Sequence, residues 1–271
     1  MHVNEDGAFT RVHGVGDAPD LLAVLRRWGS VSEVPPPHDD AAWTASGDDD
    51  FAIPLRGMQT VVGVGLNFLA HAGDLKAKTT RLPTLFYKGQ QTLIGPGEPI
   101  VLPELSERVT AEAELALVIG RPAFRVPVEE ALTYVAGGCC ALDQTAEDLL
   151  LEDTRLLTVS KNFPSFLALG PEIASLEDII GTAGTLSDVK VETWLNGACV
   201  RAGTVAQMRF SPAELVSFVS QLVPLLPGDV ICTGTPGAIA VSPGDVVECR
   251  VSGLRSLVNP VLSGSAPSTS P

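Results

Sequence analysis

The sequence predicts a mainly β protein of the α+β class, and three observations carry that prediction. Short apolar runs dominate from Thr60 onward: TVVGVG, TLFYK, AELALVIG, GCCALD, VKVETWLNG, GDVICTG and GDVVECRV. Glycine, proline and asparagine separate them, as turns between strands require. Helical signals arise at only three places, too few to alternate with the strands as a βαβ architecture demands.

Taken in order, residues 1–54 read as a small N-terminal subdomain and connector. A short strand or hairpin covers Phe9 to Val15. A helix follows from about Ala18 to Trp28, with Asp17 as its cap and Gly29 beyond its last turn. From Ser30 to Pro54 the composition shifts to proline and aspartate, with Pro35-Pro36-Pro37 and Asp48-Asp49-Asp50. The aspartate triplet reads as a solvated charge run rather than a cation site. Residues 55–263 form the main domain, with helices expected at Val128–Ala136 and Pro212–Leu222. The second has Ser211 as N-cap, Pro212 at its first position and Glu214 completing a capping box. The tail GSAPSTSP, residues 264–271, reads as disordered. No internal repeat is present.

A net charge of −14 argues against nucleic acid or an anionic membrane as partner, because phosphate would be repelled. A small molecule is the expected partner. Cys139, Cys140, Cys199, Cys232 and Cys249 lack CxxC spacing and read as reduced, buried thiols of a cytoplasmic protein. The N-terminus MHVNEDGAF has no signal-peptide pattern, and no apolar run reaches the length of a membrane span.

The chemistry-bearing feature is Glu112-Ala113-Glu114 inside an apolar run. On a strand the two carboxylates share one face with Ala116 and Val118, Cα atoms roughly 6–7 Å apart. Ala113, Leu115, Leu117 and Ile119 take the other face. Like charges in such a setting are costly unless a cation lies between them. Taken alone, the pair favours the plainer reading of a solvated edge strand by a modest margin. Farther on, GCCALD ends on Asp143, and Asp148 and Lys161 lie beyond it. Three carboxylates without a nearby histidine make an oxygen-only site, which suits Mg²⁺ or Mn²⁺ better than Zn²⁺.

Other motifs weigh less. Gly63 and Gly65 begin a dinucleotide-like pattern, but Phe68 replaces its third glycine and no βαβ unit follows. No G-x-S-x-G elbow occurs, and Ser160 and Lys161 would point apart on a strand. His71 and Asp74 would share a face if their segment turns helically, and the carboxylate would then orient the imidazole.

The order of motifs resembles the fumarylacetoacetate hydrolase family. The matching segments are GLNFLAHAGD at 65–74, FYK at 86–88, EAELALVIG at 112–120, DQTAED at 143–148, Lys161, Gly170-Pro171, Asn196-Gly197, GDVICTGTP at 228–236 and GDVV at 244–247. They run in family order over roughly residues 60 to 262. The resemblance implies a mixed β-sandwich roll, usually dimeric, with Mg²⁺ or Mn²⁺ held by Glu112, Glu114 and Asp143. It implies 2-oxo or 1,3-diketo acid substrates, chelated through carboxylate and keto oxygens. Carried over by position, His71 with Asp74 becomes a dyad that activates water or moves a proton. Lys161 stabilises an enolate or oxyanion, Thr235 bonds the substrate carboxylate, and Lys88 lies near the substrate. The stretch between Gly73 and Pro83 becomes a mobile lid.

Several positions depart from the family pattern. Glu147 stands where arginine is usual, Leu150 where glutamine is common, and Gly89 where proline follows the Lys88 position. The aspartate frequent after the site lysine is missing from the segment following Lys161, and Asp74 replaces glutamate. If Glu147 and Leu150 line the pocket, a distal substrate carboxylate loses its partner there. The expected function is therefore metal-dependent C–C hydrolysis of an acylpyruvate-like compound. Tautomerisation, decarboxylation or cyclisation stand as the alternatives, and a catalytically silent metal-binding scaffold as a third.

Overall fold

The computed structural model describes residues 2–3, 9–10, 21–30, 32, 42–43, 60–70 and 80–264. Pro35-Pro36-Pro37, Asp48-Asp49-Asp50, His71, Asp74, most of the expected lid and the tail from Ser265 lie outside the described residues, as does the expected hairpin beyond Thr10.

The strands in chain order are β1 His2–Val3, β2 Phe9–Thr10, β3 Ala42–Trp43, β4 Val61–Gly65, β5 Thr84–Tyr87, β6 Leu93–Ile94, β7 Ile100–Leu102 and β8 Val109–Ile119. They continue as β9 Val135–Ala146, β10 Leu167–Ala174, β11 Lys190–Leu195, β12 Ala198–Thr204, β13 Val230–Cys232, β14 Ile239–Ala240, β15 Val246–Val251 and β16 Leu257–Ser263. The helices are α1 Leu21–Trp28, α2 Glu147–Glu152, α3 Leu157–Lys161, α4 Leu176–Ala183 and α5 Pro212–Leu222. A short sheet joins β1, β2 and β3. The main body is two mixed sheets. One runs β5-β4-β13-β8-β9-β10-β6 with β14 also on β8; the other runs β12-β11-β15-β16-β7. Parallel pairs β4–β13, β6–β10 and β7–β16 sit among antiparallel ones. The mainly β, mixed-sheet architecture agrees with the sequence's reading.

Strands β8 and β9 form the spine, and every residue of both is buried. A near-continuous apolar run is what a strand covered on both faces requires. Ala111, Ala113, Leu115, Leu117 and Ile119 face the second sheet, meeting Val191, Val247, Cys249, Val251 and Leu257 in the sandwich core. Ala116 and Val118 face the other way, where Cys139, Ala141, Leu167, Leu169, Val230 and Cys232 form a second cluster with Leu25 of α1. The solvated-edge reading of the glutamate pair is thereby overturned: β8 is central, flanked by β13, β14 and β9.

Helix α5 has the expected bounds, and both arms of the Ser211–Glu214 capping box are formed. The helix expected at Val128–Ala136 is instead a 3-10 helix over Val128–Tyr134, and Val135 and Ala136 begin β9. Pairing of Val135 with Ile119 draws this end of the segment into the sheet. Helices α2, α3 and α4 were not expected. Helix α4 carries signals that sequence reading passed over: Ser175 caps it by accepting from the Asp178 N–H, and Gly184 follows it at φ 98°. Lys161 ends a helix rather than lying on a strand, so the strand argument about Ser160 and Lys161 does not apply.

Candidate metal and substrate site

In the antiparallel β8–β9 ladder Glu112 lies opposite Asp143, and Glu114 opposite Ala141. Directly opposed residues project to one face, so both glutamates and Asp143 share it. Oxygens from all three carboxylates lie within 4.8 Å of one another. Their exposures are 8%, 1% and 1%, so water screens little of their mutual repulsion.

Two buried ammonium groups answer that charge. Lys161, at the end of α3, places Nζ 2.5 Å from Asp143 Oδ2 and 3.1 Å from Glu112 Oε2. The same ammonium stands over the Phe86 ring, 4.6 Å from its centroid. Lys88, just past β5, forms an ion pair with Asp143 Oδ1 and donates to the carbonyls of Gln144, at 3.1 Å, and Phe166. Neutral donors complete the set. Thr145 Oγ1 donates to Glu112 Oε1 at 2.9 Å, and the Gly234 N–H donates to Glu114 Oε2 at 2.7 Å.

The electrostatics divide these groups. Burial pushes Lys161 down, but the carboxylates of Asp143 and Glu112 outweigh it and hold the ammonium above its usual range. Lys88 falls the other way: burial dominates and lowers it despite Asp143. Burial raises Glu114 well above the ordinary carboxylate range, helped by Asp143 and Glu112 and opposed by Lys161 and the Gly234 N–H. Three carboxylates against two ammoniums leave one negative charge in excess when all are ionised. An oxygen-only, buried set of three carboxylates fits a hard divalent cation such as Mg²⁺ or Mn²⁺.

The remaining predicted residues fall elsewhere. Thr235 is buried in the turn after Gly234, its hydroxyl donating to the Gly237 carbonyl at 3.2 Å and accepting from the Gly237 N–H at 3.3 Å. Glu147 pairs with Arg108 beside a more exposed rim instead of joining the acid cluster. Leu150 is half-buried, one turn on along α2. Asp148 accepts from Ser106 Oγ at 2.6 Å and the Glu107 N–H at 2.8 Å, tying a loop to the start of α2. His71 and Asp74 are outside the described residues.

Sequence reasoning assigned no role to Phe86, Thr145 or Gly234. Thr145 was legible, since it lies two residues from Asp143 on the same strand face. Gly234 was less so, because its part is played by a backbone N–H at φ 98°. Gly63, dismissed as a nucleotide glycine, has a packing reason: a Cβ there would meet the Phe86 ring at 2.1 Å. Cys139, Cys140, Cys232 and Cys249 are buried as expected, with the Cys139 thiol pushed up to about 12 by burial. Cys199 is instead exposed on β12. Among the described residues no helix is long and apolar enough to cross a membrane.

Residues 60–262 match the family model described as fumarylacetoacetate (FAA) hydrolase C-terminal. An oxaloacetate tautomerase, mitochondrial, of Rattus norvegicus is 30% identical over 220 residues, covering 78% of this chain and 69% of that protein. Among solved structures, a 5-carboxymethyl-2-hydroxymuconate delta-isomerase of Mycobacterium smegmatis is 31% identical with a TM-score of 0.74, covering 97% of this chain and 98% of the other. A fumarylpyruvate hydrolase of Pseudomonas aeruginosa, solved with Mn²⁺ and pyruvate, is 25% identical with a TM-score of 0.69, covering 83% and 93%.

Proposed function

The chain belongs to the fumarylacetoacetate hydrolase family, and from that premise we propose that it is a divalent-metal-dependent enzyme catalysing proton transfer, tautomerisation or isomerisation, on a 2-oxo acid. The observation that carries this reading is the buried cluster of Glu112, Glu114 and Asp143 with Lys161 across it. Glu112, Glu114 and Asp143 would hold Mg²⁺ or Mn²⁺. Bound there, the cation supplies Lewis-acid polarisation of a keto oxygen, which makes the neighbouring C–H more acidic.

The protein's own groups do the rest. Lys161 is held in its charged form, so it serves as a fixed positive donor to a developing enolate oxygen rather than as a base. His71, with Asp74, is the proposed proton carrier at carbon, a role that rests on the resemblance of the 65–74 segment. Thr235 is the proposed contact for the substrate carboxylate. It follows Gly234, whose N–H already positions Glu114. An overall charge of −14 agrees with a small-molecule substrate rather than nucleic acid.

Hydrolytic C–C cleavage, the first expectation from sequence, becomes the second reading. The relatives named as tautomerase and isomerase match at 30% and 31% identity, whereas the one named as hydrolase matches at 25%. Turnover of oxaloacetate enol and of acylpyruvates with Mg²⁺ or Mn²⁺ decides between them. Loss of enol absorbance without change in mass, abolished by chelator, supports tautomerisation. Two acid products establish hydrolysis, and no turnover of either class despite metal binding overturns both.

A further inference from the structure

Lys88 and Lys161 both touch Asp143, but their ammonium groups are spent differently. An ammonium has three protons. Lys88 donates hydrogen bonds to the Gln144 and Phe166 carbonyls and forms an ion pair with Asp143 Oδ1. Gln144 is the next residue along β9 from Asp143, and its N–H donates to the same Phe166 carbonyl at 3.1 Å. Leu167, the next residue after Phe166, pairs with Asp143 in the β9–β10 ladder. The Lys88 side chain is 1% exposed, as is that of Asp143. Lys88 thus fastens one carboxylate oxygen to backbone on both sides, while Oδ2 is turned towards Lys161 and Glu112.

We infer that Lys88 is a positioning residue for the metal site: paired with Oδ1 of Asp143, it holds that carboxylate in the orientation that groups it with Glu112 and Glu114, the residues that would hold the cation. The inference rests on the metal reading proposed above. It departs from the substrate-contact role that the resemblance implies for Lys88, because its buried ammonium is already engaged by two backbone carbonyls and the Asp143 carboxylate.

Two explanations of Lys88 predict opposite signs. If it were only a nearby positive charge, its removal would relieve repulsion and tighten metal binding. If it positions Asp143, its removal loosens binding although a repulsive charge has gone; outer partners of metal ligands typically contribute about 10–100-fold in affinity.

The experiment is Mn²⁺ titration of wild type, Lys88→Met and Lys88→Gln, reading the electron paramagnetic resonance signal of unbound Mn²⁺, with circular dichroism and thermal melting as folding controls. The expected result is a dissociation constant raised about 10–100-fold in folded Lys88→Met. Lys88→Gln, which keeps one amide donor for Asp143, should fall between it and wild type. If Lys88→Met does not fold, Lys88→Gln alone is read against wild type. Unchanged or tighter Mn²⁺ binding in the folded variant overturns the inference while leaving the metal reading intact. Wild-type protein that binds no Mn²⁺ overturns the metal reading itself, and this inference with it.

Discussion

Lys161 and Asp143 are 18 residues apart in sequence, yet the ammonium of one lies 2.5 Å from Oδ2 of the other. The helices α2 and α3 fold the chain back over β9 between them. That return brings a second cation, beside Lys88, onto a sheet face where three carboxylates gather.

Replacing Lys161 by alanine should separate chemistry from architecture. Turnover is expected to fall about 10²–10³-fold, the usual loss when a charge-stabilising donor is removed. Mn²⁺ binding should persist, because the carboxylates that would hold the ion remain. Steady-state kinetics beside calorimetric titration checks both, and unchanged turnover would remove Lys161 from the proposed mechanism.

Asp143→Asn should be harsher on the metal-free fold. It withdraws the carboxylate shared by both buried ammoniums, leaving them poorly compensated. Breaking a buried ion pair from one side costs about 3–5 kcal/mol. Urea denaturation of wild type and variant in chelator measures this, and a loss below about 1 kcal/mol would show the cluster to be more hydrated than its burial implies.

The raised Glu114 carboxyl gives a pH test with a definite sign. Between its ordinary value of 4.5 and its higher folded value, the folded metal-free protein holds a proton that the unfolded chain has released. This group's stabilisation is complete below 4.5 and is lost as pH rises through the folded value. Metal must displace that proton, so binding strengthens over the same interval. The gap in Tm between Mn²⁺-loaded and chelated protein should therefore widen as pH rises from 4.5 towards the raised folded value. Glu114→Gln should abolish the widening, and a gap independent of pH in wild type would contradict the shift.

Gly63→Ala tests the floor beneath Lys161. The new methyl would meet the Phe86 ring at 2.1 Å, and overpacking of this kind costs about 1–3 kcal/mol. Because Phe86 lies under the Lys161 ammonium, turnover should fall together with stability. A nucleotide-binding role would instead predict altered cofactor binding with an unperturbed melting temperature.

Much of this was legible in the residues because it depends on local periodicity. Alternation along Val109–Ile119 is enough to place Glu112 and Glu114 on one face, and the Ser211, Pro212 and Glu214 signals locate α5 without reference to the rest of the chain. At Val135 and Ala136 the local pattern failed, since pairing with β8 overrode it. Helices α2 and α3 are six and five residues long, too short to leave a strong periodic signal.

The sequence by itself determined the strand-rich class, the shared face of the two glutamates, the oxygen-rich donor set and the order of motifs that marks the family. Only the tertiary structure decided which partners close the site. The β8–β9 register sets Asp143 opposite Glu112, the return through α3 delivers Lys161, and the turn at Gly234 aims a backbone N–H at Glu114. Glu147 went to Arg108 by the same kind of long-range choice. The physical reason is that side-chain direction along a strand is a local property, whereas charge compensation in a buried site depends on groups that meet only when distant segments pack together.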